Sequence, residues 1–148
     1  MLDVLSMAER LENLAGQIYQ MLTGLVPEGS EGHALFTQLK DEELQHEQRV
    51  QLLQRRYMRD RALLLEQEAM AGALQEVIDL GESLLSRLQA METIEMKEAM
   101  ELTLDLEQRF AVAHADAMLA TGDRRLRTFF QQLARQDRAH ASLLSRNR

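Results

Sequence analysis

Four stretches of this chain space their apolar residues alternately three and four apart, and no stretch alternates by two. A three-and-four stripe runs along one face of an α-helix, whereas a half-buried strand repeats every second residue. The first stripe is Leu5, Ala8, Glu12, Ala15, Tyr19, Leu22, Val26, and the second is Phe36, Leu39, Glu43, His46, Val50, Leu53, Tyr57. The third is Met96, Met100, Thr103, Glu107, Phe110, His114, Ala117, and the fourth is Leu126, Phe130, Leu133, Asp137, His140, Leu144. A single Pro and an abundance of Leu, Ala, Met, Glu, Gln and Arg favour helix as well. The class is all-α, and the 148 residues suit one domain over 1–148.

The spacing predicts a first helix over 3–23 that ends at Gly24, the loop LVPEGSEG, and a second helix over 31–60. A helix-rich connection over 61–92, broken near Asp79-Leu80-Gly81, leads to a third helix over 93–120 and a fourth over 123–146. Short loops make each pair antiparallel neighbours, and the long middle segment can cross the whole length of a bundle. The expected architecture is a four-helix bundle with one long crossover between the second and third helices. The chain also repeats itself: FTQLKDEELQH (36–46) aligns with FQQLARQDRAH (130–140) at Phe, Gln, Leu and the final His. Glu12 and Glu43 are 31 residues apart, Glu107 and Asp137 30 apart.

Each stripe carries one acid near its middle: Glu12, Glu43, Glu107 and Asp137. The second and fourth add His46 and His140 one turn later on the same face, since residues three apart are neighbours on a helix. Burying four carboxylates together is prohibitive without compensation, because each lone ion costs several kcal/mol and like charges repel. Two divalent cations would balance four negative charges. One acid from each of two helices and an acid-x-x-His pair from each of the others is the di-metal arrangement of ferritin-like bundles. Mixed oxygen and nitrogen ligation suits Fe or Mn, and Zn is compatible.

Composition removes other classes. With no Cys, disulfides, thiolate metal sites and Cys nucleophiles are excluded. A formal charge of −7 argues against general nucleic-acid binding, and the basic cluster RRYMRDR (55–61) reads as a solvated helix end. No apolar run reaches membrane-spanning length. MLDVLSMAER carries an early acid and no basic region of the kind that opens a secretory leader, so a cytoplasmic location is expected.

These segments resemble the rubrerythrin branch of the ferritin-like diiron-carboxylate proteins. Glu12-Asn13-Leu14-Ala15-Gly16-Gln17-Ile18-Tyr19 is similar to that family's E-x-x-A-x-x-x-Y, and LKDEELQHEQRV to its first E-x-x-H helix. AMELTLDLEQRFAVAH (99–114) resembles the third helix, and LARQDRAHASLL the last, with Asp137 in place of the usual Glu. Where rubrerythrins place a second Glu one turn after the ligand Glu, this chain has Phe110, and it lacks the Cys of a rubredoxin module.

The resemblance implies two bound Fe ions, held by Glu12, Glu43, His46, Glu107, Asp137 and His140, and oxygen or peroxide chemistry or Fe(II) oxidation. An external electron donor would then be needed unless iron itself supplies the electrons. The different reading is a non-catalytic bundle tied together by Zn or Mn. Tyr19 and His114 each follow an acid by seven residues, about 10.5 Å of helix rise. Their expected places are beside the ligands, or as hydrogen-bonded core residues. His33 falls outside the constellation, on the surface. Leu63, Leu64 and Leu65, with the methionines at the start of the third bundle helix, suggest a homodimer contact.

Overall fold

The computed structural model describes residues 4–57 and 68–147. Among them lie five helices and no strand: α1 (Val4–Leu25), α2 (Glu31–Tyr57), α3 (Glu68–Gln89), α4 (Met96–Ala120) and α5 (Arg124–Arg146). The Leu63–Leu65 run and the end of RRYMRDR lie outside the described residues. No described helix is long and apolar enough to cross a membrane.

Local chemistry sets the helix ends. The chain leaves α1 through a turn at Pro27, where the Ser30 amide bonds the Pro27 carbonyl. Gly29 takes φ +80° there, a conformation that favours a residue with no Cβ. Ser30 then caps α2, its hydroxyl accepting from the His33 amide at 3.2 Å. Asp123 caps α5 by accepting from the amides of Arg125 and Leu126 at 2.9 and 3.0 Å. Asn147 closes that helix, its amide bonding the Leu144 carbonyl.

Helix α1 packs on α2, and α4 on α5, as the short loops require. The crossover helix α3 lies against both α1 and α4. Gly32, near the start of α2, sits so close to Met96, the first residue of α4, that a Cβ there would meet the methionine's Sδ and Cε. The two helices therefore begin at the same end of the bundle, as a full-length crossover demands.

One expectation is corrected. Helix α3 runs through Asp79-Leu80-Gly81 without a break. Gly81 is buried, and its missing side chain lets α3 approach α1: a Cβ would stand 3.4 Å from Leu14 Cδ1. The glycine marks close packing rather than a turn. The smaller boundary differences, α1 continuing to Leu25 and α4 starting at Met96, are the fraying common at helix ends.

The main core joins Leu11, Leu14, Ile18 and Leu22 to Phe36, Leu39, Phe110 and Phe130. At the other end, Leu5 and Leu126 form a small cluster with Leu53 and Phe129 packed against it. Met100 is buried, and Met91 and Met96 pack partly buried against the main core. The acids and histidines of the stripes form a polar layer inside this apolar frame.

Candidate metal centre

All four stripe acids are buried. Glu43 and Glu107 are 0 % exposed, Glu12 and Asp137 1 %, while His46 and His140 keep 6 % and 5 %. Tyr19 and His114 are wholly buried too. The seam assignment made from spacing alone therefore holds for every one of these positions, and His33 lies half-buried near the start of α2.

Glu43 stands between the two acid-x-x-His histidines. Its Oε2 lies 3.4 Å from His46 Nδ1, and its Oε1 lies 3.0 Å from His140 Nδ1. His46 Nδ1 also faces Glu12 Oε2 at 3.3 Å, and His140 Nδ1 faces Glu107 Oε1 at 3.3 Å. The imidazoles stack with centroids 5.5 Å apart and planes 12° from parallel. Two compact groups result, Glu12–Glu43–His46 and Glu43–Glu107–His140, each close enough to share one ion, with Glu43 common to both.

Asp137 joins neither group. It clusters with Glu12 and His114, its Oδ2 lying 2.5 Å from His114 Nδ1. Sequence spacing paired Asp137 with His140, three residues on; the fold pairs it with a residue of the neighbouring helix. Tyr19 reaches across the bundle instead, its hydroxyl donating to Glu107 Oε1 at 2.5 Å.

Glu42 was missed. Its Oε2 lies 2.9 Å from His140 Nε2, leaving Nδ1 turned toward Glu43 and Glu107. A carboxylate behind a histidine is the usual way a protein fixes which ring nitrogen is offered to a metal. The signal available in advance was weak: an acid next to the stripe acid, in a helix already rich in acids.

The electrostatics describe a centre that holds protons where cations would sit. Burial first, then repulsion from Glu43, raises Glu12 to about 8. Burial, then Glu107, Glu12 and Glu43, pushes Asp137 well above the usual carboxylate range. Burial disfavours imidazolium at His46, but the facing carboxylates of Glu12 and Glu43 prevail and raise it to about 9. At His140 burial likewise yields to Glu107 and Glu43, and the group is raised to about 11. Burial would raise Glu43, yet the donors facing it from Glu12, His140 and His46 hold it below its ordinary value. At His114 burial dominates the attraction of the nearby acids, and the imidazole is lowered.

The donor set fits divalent cations. Both oxygens of Glu12, both of Glu43, Glu107 Oε2, His46 Nδ1 and His114 Nε2 are buried with no partner in hydrogen-bond geometry. Buried polar groups are normally satisfied, and those named here are oxygen and imidazole nitrogen, the ligands that Fe, Mn and Zn accept.

A family model described as Rubrerythrin matches residues 3–147. The chain belongs to the rubrerythrin family. No curated protein and no solved structure matches it. Membership agrees with the helical bundle and with acid and histidine groups able to bind metal. In this rubrerythrin-family chain, Phe110 occupies the turn after Glu107, buried, with its ring 6.4 Å from that of His114.

Proposed function

We propose that the protein is a diiron carboxylate oxidoreductase that couples Fe(II) oxidation to the reduction of O₂ or peroxide. The observation carrying this reading is Glu43, which turns one oxygen toward His46 and the other toward His140. A carboxylate so placed between two nitrogen-bearing groups suits a pair of ions better than a single one. Glu12 and His46 would hold one ion and Glu107 and His140 the other, with the Asp137–His114 couple closing the Glu12 side. Bound iron would supply the electrons for O₂ or peroxide.

The protein's own groups prepare the site. Tyr19 fixes one oxygen of Glu107 and leaves the other free. Glu42 holds His140 from behind. Phe36, Leu39, Val50, Phe110 and Phe130 exclude water, so charges inside interact more strongly than at a surface. With no Cys in the sequence, electrons beyond those of iron would come from an external donor.

The test is anaerobic loading with Fe(II), then mixing with O₂ or peroxide while ferric absorbance is followed. Oxidation much faster than that of Fe(II) in buffer is expected with at least one oxidant. Rates equal to buffer with both would favour a Zn- or Mn-bearing structural bundle. A cytoplasmic homodimer completes the proposal, and light scattering at micromolar concentration should give about twice the 17.0 kDa chain mass.

A further inference from the structure

We propose that His114 is a metal ligand through Nε2, and that Asp137 serves as the carboxylate that orients it rather than as a ligand itself. The inference rests on the di-metal reading above and assigns an atom that reading leaves open.

Three observations carry it. First, Asp137 stands apart from both acid-x-x-His histidines and clusters only with Glu12 and His114. Aspartate is one methylene shorter than glutamate, which limits its reach from α5 toward the middle of the bundle. Second, Asp137 Oδ2 lies 2.5 Å from His114 Nδ1, so that nitrogen is engaged; with Asp137 ionised, as a neighbouring cation would leave it, Nδ1 donates and Nε2 is the acceptor. Third, Nε2 of this wholly buried ring has no hydrogen-bond partner and faces Glu12 Oε1 at 3.9 Å.

That separation is too long for a hydrogen bond but suits two atoms bound to one ion. Ligands about 2.1 Å from a common metal stand about 3.0 Å apart at right angles and about 4.2 Å apart when opposite. The same device already operates at His140, where Glu42 takes Nε2 and Nδ1 faces the acids. At His114 the nitrogens exchange roles. Phe110 and Phe130 pack against the ring, with centroids 6.4 and 6.1 Å away, and restrict its rotation. A helix-borne imidazole held on three sides, its free nitrogen facing an unpartnered carboxylate, is built to bind a borderline divalent cation.

Co(II) is a suitable probe, because a ring N–H of a coordinated histidine is shifted far outside the ordinary proton range and vanishes in D₂O. Protein loaded with two Co(II) per chain should show three such signals, from His46, His114 and His140. His114→Gln should lose one signal and weaken binding of one ion at least tenfold, the scale of losing even a carboxylate behind a ligand. Asp137→Asn retains a group able to accept from Nδ1, so the third signal should persist, shifted. Two Co(II) bound with only two histidine signals, both surviving in His114→Gln, would overturn the assignment and leave the di-metal reading intact. The wild-type count decides even where a variant folds poorly. No bound Co(II) and no shifted signal would remove the di-metal reading and this inference together.

Discussion

At the scale of single residues, the centre depends on hydrogen bonds that hold carboxylates in fixed directions. Tyr19 donates to Glu107 in a fully buried setting. Tyr19→Phe deletes that donor and leaves Glu107 Oε1 with only the 3.3 Å contact to His140 Nδ1, a loss of about 1–3 kcal/mol. Urea unfolding of the chelated protein should show a fall of this size, and an unchanged midpoint would mean that water replaces the hydroxyl. Glu12, Glu43 and Glu107 were legible from spacing because a stripe names the residues that face inward. His114 was legible as an inward residue but not as a neighbour of Asp137. That contact depends on the register between α4 and α5, which periodicity within one helix does not specify. Glu42 lies one position from the stripe, about 100° round the helix, so only the packing of α5 beside α2 brings it to His140.

At the scale of elements, the helix pattern was readable almost throughout, and the one misplaced break is instructive. Gly81 looked like a stop because glycine weakens an isolated helix. Its burial against Leu14 is a tertiary fact that no local pattern reports. Gly81 has no positive φ, and an added Cβ would make only a van der Waals contact at 3.4 Å. Gly81→Ala should therefore be neutral or stabilising, by up to about 1 kcal/mol. A clear loss in thermal melting would indicate that α3 does bend there. Gly81→Leu should cost about 1–3 kcal/mol by overpacking against α1. At α5, Asp123→Ala removes the acceptor for two terminal amides and should cost about 1 kcal/mol.

At the scale of the whole molecule, one buried layer holds protons that bound cations would displace. Glu12 and Asp137 keep protons in the fold that the unfolded chain releases near 4.5 and 3.8, and His46 and His140 keep protons released near 6.5. A proton held only by the folded state makes stability fall as pH rises, by up to about 1.4 kcal/mol per unit. The loss continues to about 8 for Glu12, about 9 for His46 and about 11 for His140. Glu43 acts oppositely, but its contribution is complete above 4.5, and that of His114 is complete above 6.5. Chelated protein should thus melt at progressively lower temperature from pH 6.5 to 9. Loaded protein should hold its melting temperature, because ions replace the protons and bind better as ligands deprotonate. Parallel profiles for the two forms would place the acids in contact with water.

The central claim is that these helices are held around two cations by Glu43 and the two histidines that face it. Its most direct test is metal content after anaerobic Fe(II) loading and removal of free ion, compared between the wild type and a His46→Ala/His140→Ala double variant. The wild type should retain two Fe per chain and the double variant should lose most of them. Equal metal content in both proteins would contradict the claim.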